Sequence, residues 1–216
     1  MEGFYINLKH RSDRKKDMEK YINKYSIFKK IKRFDAITNN YGALGCALSH
    51  IECLKLLMEK EDDFFIILED DFFILKRGVF RDFCNDFEKI KNKKWDILLL
   101  TPLGLIVDEN IVENFHKINY SQTTSGYIVK KNYIPKLISC FIESSFNLEK
   151  FKNHKNRFFH ENKWAIDQNW KKLQKEDMFI RYKYIFAGQK PGKSDIGSKY
   201  VNYNMFFLNQ EGYYTE

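Results

Sequence analysis

Apolar residues recur along the chain with two periods, and the switches between them mark out the elements. GFYINL reads as an opening strand. Residues 12–25, SDRKKDMEKYINKY, predict a helix with Ser12 as its N-cap and Met18, Ile22 and Tyr25 on one face. KKIKRFDAI has the look of a short second strand. GALGCALSHIECLKLLMEK is the strongest helix, because Ala47, Ile51, Leu54 and Met58 step by four, three and four. FFIIL predicts a strand that runs straight into Glu69, Asp70 and Asp71. GVFRDFCNDFEKIKN returns to helical spacing through Phe80, Phe83, Phe87 and Ile90, and WDILLLT to a strand. The second half is less regular: TTSGYIVKK predicts a strand, NYIPKLISCFIESS a helix with Pro135 in its first turn, AIDQNWKKLQ a short helix, and MFIRYKYIFAG a last strand.

Runs such as FFIIL and ILLL are apolar at every position, which suits strands covered on both faces. With the strand–helix rhythm of the first hundred residues, they predict an α/β fold whose mostly parallel central sheet is flanked by helices on both sides. Only 3 Pro and 10 Gly in 216 residues argue against a sandwich or barrel of many short strands. No internal repeat, linker or shift in composition divides the chain, so a single domain over 1–216 is expected.

The apolar runs are strand-sized and fall short of the ~18–20 residues of a membrane span, and the first residues lack the pattern of a secretory leader. Cys46, Cys53, Cys84 and Cys140 show neither CxxC pairs nor zinc-type Cys/His spacing, so no disulfide framework and no zinc site are expected. A cytoplasmic location fits these features. The net charge of +8 leaves two readings, a solvated basic surface or attraction to phosphorylated ligands or an anionic membrane surface. The basic clusters KHRSDRKK, KKIKR and KNKK carry no nucleic-acid-binding motif, so no nucleic-acid partner is expected.

Ligands in α/β folds gather at the carboxyl ends of strands, where Glu69, Asp70 and Asp71 stand. Two carboxylates ~4 Å apart repel by about 4 kcal/mol at an effective dielectric of 20, and a divalent cation reverses the sign. An acidic turn that merely ends the strand is the simpler alternative. Lys9, Arg11 and Arg14 follow the first strand and suit a nucleotide phosphate, or else a solvated helix start. Gly42 and Gly45 permit close backbone approach at the start of the strongest helix, where His50 is either a packing histidine or a ligand contact. Asp167 is either a helix N-cap or a general base, with Trp164 and Trp170 as a possible platform for a sugar ring. AGQKPGKSDI gathers Gln189, Lys190, Lys193, Ser194 and Asp195 in one loop able to embrace a diphosphate.

INLKHRSDR, GALGCALSH, IILEDD, TTSGYIVKK and AIDQNW with the following GQKPGKSDI occur in that order. In this the sequence resembles glycosyltransferase family 25, the group of lipopolysaccharide-biosynthesis and collagen galactosyltransferases. The resemblance implies a GT-A-like fold, a UDP-galactose or UDP-glucose donor, a manganese (or magnesium) ion and an inverting transfer. Carried over by position, it makes Glu69 and Asp71 metal ligands. It places Asn7, Arg11, Arg14, Ser49, His50, Asp70, Gln189 and Asp195 around the nucleotide sugar, where the loop's own Lys190 and Lys193 would join them, and makes Asp167 the catalytic base. Residues 1–100 would form the nucleotide-sugar and metal half, and 101–216 the acceptor side. The acidic turn departs from the usual Asp-x-Asp pattern by reading Glu-Asp-Asp.

The expected protein is therefore a hexosyltransferase, with galactose foremost, that acts on a glycan or lipid-linked sugar acceptor and can make peripheral contact with the inner face of a membrane. A non-catalytic nucleotide-sugar or glycan-binding module, a metal-dependent phosphoesterase and a basic adaptor for anionic surfaces remain as alternatives.

Overall fold

The computed structural model describes residues 1–103, 109–112, 114–196, 200–203 and 206–207. Strand β1 (Glu2–Asn7) leads into α1 (Ser12–Lys24), β2 (Lys30–Asp35), α2 (Gly42–Met58) and β3 (Phe64–Glu69). After the acidic turn come β4 (Phe72–Ile74), α3 (Arg77–Ile90), β5 (Ile97–Leu99) and the hairpin β6 (Glu109–Val112) and β7 (Phe115–Lys117). Strand β8 (Gly126–Lys130) is followed by four helices: α4 (Ile134–Phe151), α5 (Arg157–Trp164), α6 (Ile166–Asn169) and α7 (Lys171–Glu176). The described chain closes with β9 (Phe179–Tyr182), β10 (Ala187–Gln189), β11 (Gly192–Lys193) and β12 (Tyr200–Val201).

Eight strands form one sheet in the order β2–β1–β3–β8–β5–β9–β7–β6. The pairs β1/β2, β1/β3 and β5/β9 are parallel, while β8 and β7 run against their neighbours, so most strands point the same way. The fold is thus α/β, with helices on both faces of a mostly parallel sheet. Side chains alternate across a strand, and the unbroken apolar runs divide accordingly. Phe65, Ile67, Ile97, Leu99, Tyr127 and Val129 pack under α2, α4, α6 and α7. Ile66, Leu68, Leu98, Leu100 and Ile128 pack against α1 and α3 on the other face.

Three local expectations are corrected. Arg11, not Ser12, occupies the position before α1, and no side chain caps that helix. AIDQNWKKLQ is two short helices that meet at Trp170, whose ring is fully buried and so pins the junction to the core. MFIRYKYIFAG is two strands. The main sheet ends at Tyr182, and the chain then turns to pair β10 with β4 in a separate antiparallel ribbon, which carries Gln189 to the acidic turn. Among the described residues, no helix is long and apolar enough to cross a membrane.

The aromatic richness is spent largely under α3. Phe83 stacks on Phe186 at 4.5 Å between centroids and meets Phe80, Phe87, Phe115 and Tyr182 within 6.4 Å. Truncating a buried ring costs its transfer energy and leaves a cavity, so Phe83→Ala should lower unfolding free energy by ~3–5 kcal/mol in urea titration. A loss under 1 kcal/mol would show that this face is not a tightly packed core.

Candidate active site at the carboxyl ends of the central strands

Strands β1 and β3 are parallel neighbours, with Ile6 in register with Glu69, so the chain leaves both at the same edge of the sheet. Asn7 ends β1, and the turn after it delivers Arg11 and Arg14 on the start of α1. Asp70 accepts 2.7 Å hydrogen bonds from Asn7 Nδ2 and from Arg14 Nη1. Asn7 Oδ1 in turn accepts from Arg33 Nε at 2.8 Å, which fixes the amide that holds Asp70. Burial raises the pKa of Asp70 more than Arg14 and Asn7 lower it.

Glu69 turns to the α2 side. Its Oε1 accepts from Thr124 Oγ1 at 2.8 Å and lies 3.3 Å from His50 Nε2. Burial pushes Glu69 upward, but the contacts with His50 and Thr124 outweigh it and leave the carboxyl below its usual range. His50 is wholly buried, and its Nδ1 is 3.0 Å from the Tyr127 hydroxyl. Ser49 donates to Gly45 O at 2.7 Å and accepts from Ile37 N at 2.8 Å, fastening the preceding loop to the helix. That loop lies close because Gly45 has no side chain: a methyl there would come within 2.7 Å of Ile37 O. Ser49 and His50, expected beside a nucleotide sugar, have buried and internally engaged side chains. They brace the site from behind.

Asp71 is the least compensated of the three acids. Its Oδ1 is buried without a hydrogen-bond partner among the described residues, and its Oδ2 is 3.5 Å from both Arg14 Nη1 and Gln189 Nε2. Burial, then the charge of Glu69, raises its pKa to about 7. The C-terminal loop lies over this turn. Lys190 N donates to Asp71 O at 2.7 Å, while its ammonium pairs with Asp17 on α1. Lys193 O accepts from Arg11 Nη1 and Arg14 Nη2, both at 3.1 Å, and its own side chain is exposed. Asp195 holds Arg11 Nη1 at 2.5 Å.

Asp167, on α6, stands near enough to the acidic turn to feel the Glu69 charge. Its Oδ2 accepts from Thr123 N at 3.2 Å and from Gln168 Nε2 at 3.3 Å. Thr123 immediately precedes Thr124, so one step of backbone links the groups that hold Asp167 and Glu69. The link is strained, with Thr123 at φ 76°, and is held by its hydroxyl on Thr101 O at 2.7 Å. Burial raises the pKa of Asp167, the Thr123 N–H opposes, and the Glu69 charge adds to the rise. Tyr203 feels the charges of both Asp167 and Asp71. The N-cap alternative for Asp167 is not observed, because Ala165 occupies the cap position of α6. Trp170 is no platform for a sugar: it is wholly buried, edge-on to Tyr127 and Phe179. Trp164 packs partly against the same core.

Sequence reasoning passed over Thr124, Tyr127 and Arg33. The polar run SQTTSG just before an apolar strand was the available signal for Thr124. Cys46 lies one turn before His50 on α2, and its sulfur, a His50 ring nitrogen and a Glu69 oxygen all lie within 4.8 Å of one another. The expectation that no cysteine stands at metal-ligand spacing is corrected by this i, i+4 pair.

No family model matches the chain, and no curated protein does. Among solved structures, UDP-glucose pyrophosphorylase complexed with UDP-glucose is similar over 94% of this chain and 72% of its own, with 13% identity and a TM-score of 0.44. The apo form of a UDP-glucose pyrophosphorylase covers 93% and 77% at 13% identity and 0.42. A glycosyltransferase involved in the glycosylation of the major capsid of PBCV-1 covers 83% and 91% at 8% identity and 0.41. Likeness this distant assigns no function.

The pKa of Asp71 has a consequence for stability in the metal-free protein. Its folded value, about 7, lies above the ordinary 3.8. Between those values the folded state holds a proton that the unfolded state has released, so stability falls as pH rises from about 4 to 7 and then levels. The lowered Glu69 works in the opposite sense and withdraws stability only as pH falls below its ordinary 4.5. Asp71→Asn should therefore flatten the decline between pH 4 and 7 and raise Tm above wild type at pH 8. An unchanged Tm profile would show that Asp71 carries no such strain.

Proposed function

We propose that the protein is a metal-dependent, inverting glycosyltransferase of GT-A type, which moves a hexose, galactose or glucose, from a UDP-sugar to a hydroxyl of a glycan acceptor such as lipopolysaccharide core. The observation that carries this reading is the grouping, at the carboxyl ends of β1 and β3, of an uncompensated carboxylate oxygen on Asp71, Arg14 at 3.5 Å with Arg11 beside it on Lys193 O, and a separately held carboxylate on Asp167 that feels the Glu69 charge. The ordered motifs by which the sequence resembles glycosyltransferase family 25 support the same reading.

The hard oxygen donors of Glu69 and Asp71 fit Mn2+ or Mg2+, and the orphaned Asp71 oxygen has most to gain from one. When bound, such an ion supplies positive charge for the departing diphosphate. Arg11 and Arg14 would add positive charge for the same diphosphate, and Lys190 and Lys193 stand on the loop these arginines hold. Asn7, Asp70, Gln189 and Asp195 hold these cations and the loop in place. The 1–100 half would thus bind the donor, and the 101–216 half would receive the acceptor.

Asp167 takes the acceptor hydroxyl's proton as the oxygen attacks the anomeric carbon. The bond from that carbon to phosphate oxygen breaks, and its electron pair leaves on UDP. A raised pKa suits this role, since a carboxylate that gives up its proton less readily is a stronger base.

UDP and Mn2+ together should raise Tm more than either alone, because only their complex satisfies the acidic turn and the arginines at once. Screening UDP-sugars by product mass would identify the donor. Asp167→Asn should reduce turnover by ~10²–10⁴ at saturating acceptor while leaving stabilisation by UDP and Mn2+ unchanged. Near wild-type turnover would remove Asp167 as the base, and failure of any UDP-sugar to yield product would remove the transferase reading.

A further inference from the structure

We propose that Cys46, His50 and Glu69 form a three-ligand site for a divalent ion that accepts sulfur and imidazole, Zn2+ or Co2+ in preference to Mg2+. This site is separate from the Mn2+ or Mg2+ position proposed at Asp71 and shares with it only Glu69, a carboxylate with two oxygens to offer; it rests on the transferase reading in that shared residue alone. Cys46 and His50 are four residues apart on α2, so they share one helix face, and Glu69 ends the strand packed beneath that face. The three donor atoms lie within 4.8 Å of one another.

The surroundings are those of a built site. The Tyr127 hydroxyl, 3.0 Å away, engages His50 Nδ1 and leaves Nε2 facing Glu69 at 3.3 Å. Thr124 Oγ1 fixes the carboxylate by its 2.8 Å bond to Oε1. Hydrogen-bonded imidazole and carboxylate groups of this kind orient metal ligands and set which ring nitrogen is free. Tyr127 and Thr124 themselves stand on and just before β8, the strand paired with β3.

One thiolate, one imidazole and one carboxylate make a mixed donor set. Mg2+ prefers oxygen alone in octahedral geometry, whereas Zn2+ and Co2+ accept all three in a tetrahedron. Binding would displace the thiol proton of Cys46 to solvent and leave the fourth position for water or a substrate oxygen. Burial, and after it the charges of Glu69, Asp167 and Asp71, push the Cys46 thiol up, so the thiolate forms only against the positive charge of the ion itself.

Cobalt reports this directly. Adding Co2+ to the metal-stripped protein should bind one equivalent and produce a sulfur-to-cobalt charge-transfer band in the near ultraviolet, with the intense visible bands of a tetrahedral ion. A large excess of Mg2+ should not erase them. Cys46→Ser should abolish the sulfur band, while Cys84→Ser should keep it; Cys84 lies on α3, on the opposite face of the sheet. Tyr127→Phe should weaken Co2+ binding by ~10–100-fold, the usual effect of removing a ligating imidazole's outer partner. A wild-type spectrum without a sulfur band, or a band that survives Cys46→Ser, overturns the proposal. Stabilisation by UDP and Mn2+ without a sulfur band would refute this ligand set alone, and a sulfur band with no turnover of any UDP-sugar would refute the transferase reading alone.

Discussion

Strand β3 is covered by helices on both faces, and the chain leaves it through three successive carboxylates that water solvates poorly. Each acid must therefore find a partner or hold a proton, and the surrounding structure divides along those three solutions. Asp70 is taken by Asn7 and Arg14 from β1 and α1. Glu69 is taken by His50 from α2 and Thr124 from the approach to β8. Asp71 is left with an orphaned oxygen and a raised pKa. The burial that makes β3 a stable core strand is the same burial that leaves an acid seeking a cation.

The arginines are shared in a way that couples distant segments. Arg14 reaches both Asp70 and Asp71 and also holds Lys193 O, so the acidic turn and the C-terminal loop are tied through one guanidinium. Arg11 repeats the connection through Lys193 O and Asp195. The loop's position thus depends on the charge state of the site it covers.

On the far side, the strained turn at Thr123 does comparable positioning. Its backbone N–H holds Asp167, and the next residue's hydroxyl holds Glu69. The carboxylates of Asp167 and Glu69 are thereby held by one step of chain. Polar contacts from Thr101 to Thr123 and Ser125 supply the restraint that keeps a β-branched residue at positive φ.

Sequence alone pointed to the layered α/β architecture, because unbroken apolar runs such as FFIIL and ILLL, alternating with segments of helical spacing, suit strands covered on both faces. It also marked the acids after β3 and the arginines after β1, since the strand period places both at strand ends. Period says nothing about which elements become neighbours across the fold. The antiparallel insertion of β8 beside β3 decided that Thr124 and Tyr127 reach Glu69 and His50. Burial of Trp170 in the core removed a stacking surface that its local context suggested. The proximity of Cys46, His50 and Glu69 arose only when α2 packed its buried face over the end of β3, because a helix face and a strand end share no spacing along the chain and meet through packing alone.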